Sequence, residues 1–200
     1  MATDDYQRAI DLPPVGGETL PCGRALSSGE LGALFEACAD DSSPAGARDA
    51  ALLAVLYGVG LRRAEVVALD WSATTPESGE LKIRGGKGHK ARLCYTGENC
   101  REALVEWLQL RGDQEGPLFL PLSKERPPRG GQLLWRRLQD QAVMGILLKR
   151  AREARLKPCS PHDFRRSFIC STPGPTSQRC KGAAFTFCGI APTTTAFSSL

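Results

Sequence analysis

Residues 44–71 read PAGARDAALLAVLYGVGLRRAEVVALDW, and the fold follows from where this stretch is apolar and where it breaks. Ala50 to Tyr57 is an unbroken apolar run. A helix that is apolar on most of its circumference must be buried on most of it, so this segment is expected at the centre of the core. Pro44 suits a first helical turn, where its missing N–H costs nothing. Gly58 and Gly60 end the helix, and LRRAEVVAL resumes as a short one with Val66, Val67 and Leu69 apolar. Arg62 and Arg63 therefore fall at the rim of the most apolar element of the chain, with Glu65 within reach to orient one of them.

Upstream, Ser27-x-x-Glu30 fits a capping box, and Leu31, Leu34, Phe35 and Cys38 share one helical face. Residues 1–25, with LPPVGGETLPCG, carry no sustained apolar period and read as a linker or arm. Downstream, Leu81 and Ile83 precede a GGKG turn and Leu93 and Tyr95 follow it, which predicts a β-hairpin or small antiparallel sheet with a basic tip. Residues 98–111 space Ala103, Leu104, Trp107 and Leu108 as a helix. A long helical pattern is then expected over 132–155 through Leu133, Leu134, Leu138, Val143, Ile146 and Leu147, with Arg136, Arg137, Lys149, Arg150 and Arg152 between. Pro158 ends it, and Ser160-Pro161 makes an N-cap followed by a first-turn proline, so that HDFRRSF opens another helix. The expected class is mainly α with a small antiparallel β-sheet, an α+β fold centred on residues 26–169.

At 200 residues the chain is long enough for one sizeable core, and 42% hydrophobic residues is ordinary for a globular protein. No apolar run approaches the roughly 20 residues that span a bilayer, and the start of the chain lacks the basic and apolar blocks of a secretory signal. No membrane association and a cytoplasmic location are expected. Eight scattered cysteines without a CxxC pair read as reduced thiols, and with only His89 and His162 to join them no metal site or cofactor is expected. Charge is polarised: residues 1–61 hold three Lys/Arg against nine Asp/Glu, and residues 62–200 hold 23 against 13, giving −6 and +10. A polyanion would dock on the second half.

Four cations carry the chemistry. His162 and Arg165, at i and i+3, project from one face near a helix N-terminus, where free N–H groups and the positive dipole end favour an anion. The guanidinium can grip two oxygens at once, and the imidazole can move a proton. An ordinary capped, surface-charged helix start has the same pattern. Arg62 with Arg63 reads either as a phosphate grip on a rigid support or as a solvated basic pair. Lys87, flanked by glycines that let backbone approach a ligand, reads as a proton donor to a leaving oxygen or as a solvated turn, with His89, Lys90 and Arg92 beside it for backbone phosphates.

Taken together and in this order, GLRRAEVVALDW, GGKGHKAR and SPHDFRRSF resemble the first arginine box, the β-hairpin lysine segment and the HxxR box of the tyrosine recombinase, or phage integrase, catalytic domain. The resemblance covers about residues 24–169. It implies cleavage and rejoining of double-stranded DNA through a 3′-phosphotyrosyl link, without metal or high-energy cofactor. It assigns Arg62 and Arg165 to clamping phosphate oxygens, Lys87 to protonating the leaving oxygen and His162 to assisting proton transfer. Arg63, His89, Lys90, Arg92 and Arg166 would bind DNA, and the partners would be DNA with a second copy of the chain or an intact recombinase.

The chain changes character after Asp163, and it departs from the family's pattern beyond the HxxR box. Residues 164–200 hold no Asp or Glu and one Leu, and no tyrosine follows Tyr95. Cys188 and Phe197 stand about where a second His box and the nucleophilic tyrosine are expected, and phenylalanine has no hydroxyl. Residues 170–200 are therefore expected to be an altered, disordered tail, from a frameshifted or decayed 3′ end, and residues 1–25 to be an arm without the family's core-binding domain. The expected function is site-specific recombination with the nucleophile missing, a non-catalytic DNA-binding module at recombination sites, or a decayed gene product.

Overall fold

A computed structural model describes residues 23–84, 91–123 and 131–171. Helix α1 (Ser28–Ala39) starts at Ser27, whose side chain accepts from the Glu30 N–H while Glu30 accepts from the Ser27 N–H, the capping box read in the sequence. Helix α2 (Pro44–Gly58) has Ser43 as N-cap and Pro44 in its first turn. It is the centre of the core as expected: Leu52, Leu53, Val55 and Leu56 are wholly buried. Around it pack α1, α4 (Glu98–Arg111) and α6 (Pro161–Ser171), with α5 (Asp140–Glu153) against α1 and the short α3 (Arg63–Val67).

The hairpin strands are β2 (Glu80–Ile83) and β3 (Arg92–Tyr95), antiparallel with Glu80 opposite Tyr95 and Ile83 opposite Arg92. A third strand, β1 (Thr74–Thr75), pairs with β2 and gives the order β1-β2-β3. Two residues are too short a run to show a period, so this strand had no signature. Leu81 and Ile83 face the core while Lys82 is exposed, the alternation of a sheet solvated on one side.

The helix expected over 132–155 is shorter, beginning at Asp140. Residues 131–138 instead run alongside 119–123: Leu134 N–H donates to Pro121 O, Ser123 N–H to Gln132 O and Leu138 N–H to Phe119 O. The physical reason is that Leu118, Phe119 and Leu120 are buried, so the polar groups of that backbone need partners that a helix, with its own donors consumed, would not supply. Arg150, read as one of the charges between apolar positions, is also wholly buried. It donates to Asp49 and Asp41, to Glu153 and to the Ala37 carbonyl, tying α1, α2 and α5 together.

Residues 23–26, whose first three were read as the end of an arm, lie on α6. Arg24 N–H donates to Asp163 Oδ1 at 2.7 Å, Leu26 N–H to Ser167 Oγ at 2.7 Å, and Arg166 to the Gly23 carbonyl at 3.0 Å. Gly23 has φ +92°, and a Cβ there would meet Asp163 Oδ1 at 2.5 Å, so only glycine lets the strap close.

Candidate phosphate-binding site

The turn from α2 to α3 builds one wall of the site. Gly60 takes φ +63°, which lets the chain reverse and present its carbonyl oxygen to the Arg165 guanidinium of α6. Arg62 then occupies the N-cap of α3 in extended conformation. Its N–H donates to Glu65 Oε2 at 2.8 Å, closing the first turn, while its guanidinium is 54% exposed and, among the described residues, reaches Glu65 Oε1 alone, at 3.5 Å. At that distance the contact is weak.

On α6, Asp163 caps its own helix by accepting from the Ser160 N–H and Oγ–H. The first-turn geometry expected from Ser160-Pro161 is present, and His162 and Arg165 both line a cleft of about 440 Å³ with Arg62, Arg63 and Met144. A second cleft, about 310 Å³, lies on the other side of Arg62 and Arg165 and is lined also by Gly60, Arg92, Cys94, Tyr95 and Phe168. The two arginines thus form a ridge between the clefts, and His162 faces one side of it.

The electrostatics of the ridge are those of clustered cations. Burial, and then the Arg62 and Arg92 charges against the opposing Glu65 carboxylate, lower the pKa of Arg165. A guanidinium stays protonated regardless. Glu65 is the local carboxylate: burial pushes it up, but the Arg92 fork and the Arg62 N–H outweigh that and take it down to about 2. Among the described residues, Glu65 set against Arg62, Arg92 and Arg165 leaves this cluster with a surplus of positive charge.

Of the residues singled out in the sequence, Arg62, His162 and Arg165 converge. Lys87, His89, Lys90 and Phe197 lie outside the described residues. Arg63 pairs with Asp140 at 3.0 Å, Arg166 reaches the Gly23 carbonyl, and Arg92 is engaged by Glu65, each of its two terminal nitrogens donating at 2.9 Å. Local spacing offers Glu65 one arginine to orient and does not reveal the second, because Arg92 is 27 residues away. Tyr57 is buried in α2 with its hydroxyl 3.4 Å from Ser171 Oγ, and Tyr95 stands opposite Glu80, whose charge raises its hydroxyl pKa.

A family model described as the phage integrase family matches residues 24–171, which carry every element of this site. The chain belongs to the phage integrase family. It is 35% identical over 170 residues to the tyrosine recombinase XerD of Pseudomonas putida KT2440, covering 80% of this chain and 50% of that protein. With the tyrosine recombinase XerC of Erythrobacter litoralis it shares 34% over 173 residues, 84% of this chain and 51% of that one. The chain thus spans about half the length of the curated relatives it matches. In fold it is similar to the crystal structure of XerA recombinase, with TM-score 0.61, 23% identity, and coverage of 87% of this chain and 60% of that one. It is also similar to XerH recombinase bound to its difH substrate, with TM-score 0.52, 22% identity, and coverage of 72% and 41%. The integrase catalytic fold, mostly helical with a small antiparallel sheet, is therefore the fold of this chain.

Proposed function

We propose that this chain supplies the phosphate-binding half of a site-specific recombinase active site and works on double-stranded DNA. The observation that carries the reading is the ridge: Arg62 and Arg165, 103 positions apart in sequence, border the same two clefts, with His162 beside them. Two guanidiniums on one phosphodiester bind its non-bridging oxygens and stabilise the charge that builds there as an oxygen attacks. They are held before the substrate arrives, Arg165 by the Gly60 carbonyl and Arg62 by its place in the capped turn, so little reorganisation is needed. His162, at the N-terminal end of α6, moves a proton at the phosphate or at the attacking oxygen, and Lys87 protonates the leaving 5′ oxygen.

Recombination by this chemistry needs a tyrosine. Tyr57 is buried, Tyr95 borders the second cleft but stands opposite Glu80, whose charge raises its hydroxyl pKa and makes it a poorer nucleophile, Tyr6 lies outside the described residues, and none follows Tyr95 in the 200 residues. The 200 residues by themselves bind DNA and form no covalent link to it, acting beside an intact recombinase that brings the nucleophile, with or without a second copy of the chain. No described helix is long and apolar enough to cross a membrane, and a DNA substrate places the chain in the cytoplasm.

Gel-shift titrations across a salt series test the binding. The Arg62→Ala, Arg165→Ala double variant is expected to flatten the slope of log K against log salt by up to about 1.8, since each phosphate contact contributes about 0.9 on duplex DNA. An unchanged slope sinks the reading. Incubation with a nicked suicide duplex followed by denaturing electrophoresis tests the second part: a detergent-stable protein–DNA adduct would show that a tyrosine of this chain does attack.

A further inference from the structure

Arg92 opens β3, the outgoing strand of the hairpin, and what it touches is a carboxylate. Both of its terminal nitrogens donate to Glu65, one to each oxygen, at 2.9 Å, in the end-on fork that gives a guanidinium–carboxylate pair its geometry. The Glu65 side chain is 12% exposed and Arg92 38%, so the pair sits at the wall of the cleft, partly shielded from water. Glu65 Oε2 simultaneously receives the Arg62 N–H. The incoming leg of the same hairpin ends at Arg84, 3.7 Å from Asp70. Both legs are thus tied to the one short segment 65–70 that follows Arg62, the outgoing leg by the shorter and better shielded of the two contacts.

We propose that Arg92 is a positioning residue and makes no phosphate contact of its own: it fixes Glu65, which fixes the Arg62 turn, and so ties strand β3 to that turn. The inference rests on the phosphate-binding reading of the ridge. A guanidinium whose fork is already filled by a carboxylate cannot offer that fork to a phosphodiester, and releasing it would strand Glu65 as an uncompensated negative charge against the substrate. The positive field of Arg92 still reaches the cleft, but largely offset by its partner.

Two measurements on the full chain decide this. The first is the salt dependence of DNA binding for Arg92→Gln, Arg92→Lys, Arg62→Ala and the Arg62→Ala, Arg92→Gln pair. A positioning role predicts that R92Q weakens binding severalfold and that R62A then costs much less, in affinity and in slope alike, in the R92Q background than alone, because the two residues act as one unit. A double variant whose losses are the sum of the two single ones, with R92Q and R62A each flattening the slope by about 0.9, would overturn the proposal in favour of direct phosphate contact by Arg92. The second is free of DNA: amide hydrogen exchange at Arg62, with Val55 in α2 as reference. R92Q is expected to speed exchange at Arg62 more than tenfold while Val55 is unmoved, with partial rescue by R92K. Unchanged exchange at Arg62, or equal acceleration at both, overturns the coupling. If wild type shows no salt-sensitive DNA binding, the recombinase reading fails while the exchange result still tests whether Arg92 holds the turn.

Discussion

The carbonyl oxygen of Gly60 accepts a hydrogen bond from the guanidinium of Arg165, which lies 105 residues further along the chain. The same glycine needs a left-handed backbone, and a Cβ on it would stand 2.4 Å from Cδ1 of Phe168, one turn beyond Arg165 on α6. One residue thus sets both the reversal that exposes Arg62 and the seat of the second arginine.

Gly60→Ala is therefore expected to destabilise the fold by about 1–3 kcal/mol, from the cost of a non-glycine residue at positive φ together with the clash. Urea unfolding gives the value. Phe168→Ala should recover part of the loss in the Gly60→Ala background, because it removes the clash but not the strain. Strictly additive losses would show that Phe168 is not what the alanine meets.

Acid should loosen the site in a defined window. Glu65 has its folded pKa depressed to about 2, with burial opposing and the Arg92 fork and Arg62 N–H driving the shift. A carboxylate with a depressed folded pKa contributes stability that is complete above its unfolded value, near 4.5, and is lost as pH falls toward 2. Glu30 behaves alike, taken down to about 2 by Arg24 and the Ser27 N–H. The urea midpoint should fall between about pH 5 and pH 2, and Glu65→Gln should make that fall shallower. An equally steep fall in Glu65→Gln would remove Glu65 from the account.

Much of this was readable from residues alone, where the determinant is local. The capping box at Ser27, the first-turn prolines at 44 and 161, the apolar run of α2 and the alternation about the hairpin are all set by neighbours a turn or a strand pair away. The convergence of Arg62, His162 and Arg165 came from family resemblance, since nothing local links positions 62 and 165. What stayed hidden is what distance in sequence conceals: the Arg92–Glu65 fork, the strap of residues 23–26 on α6, and the extended run of 131–138, whose leucines mimic a helical period while their backbone serves the buried 118–120 segment.

Arg150 was hidden in the same way. Its side chain is 1% exposed and meets Asp49, also 1% exposed, at 2.8 Å, together with Asp41 and Glu153. Arg150→Ala leaves Asp49 with Arg48 as its remaining cationic partner and strips Asp41 of its buried one, so the network is weakened at both carboxylates and the cost is expected to be about 3–5 kcal/mol. Replacing the pair by apolar residues, Arg150→Met with Asp49→Leu, should cost more than Arg150→Ala alone, because the buried Arg48 then loses the Asp49 oxygen to which its Nε and one terminal nitrogen donate. A double variant more stable than the single would mean that Asp49, and not Arg48, is the costly charge left in the core.

The last prediction concerns how α6 is held from behind. Asp163, 5% exposed, accepts from the Arg24 N–H through one oxygen and from the Ser160 N–H and Oγ–H through the other, while its neighbours His162 and Arg165 face the cleft. Asp163→Asn keeps the shape but leaves one acceptor oxygen for donors that now use two. Either the cap or the strap must lose its partner, at a cost of about 1–3 kcal/mol for the buried donor left unmade. If the strap gives way, amide exchange at Arg24 and Leu26 rises and the ridge loses affinity for DNA without losing salt slope, since both arginines remain. If the cap gives way, exchange rises at Ser160 instead. Unchanged exchange at all three amides would show that Asp163 holds neither.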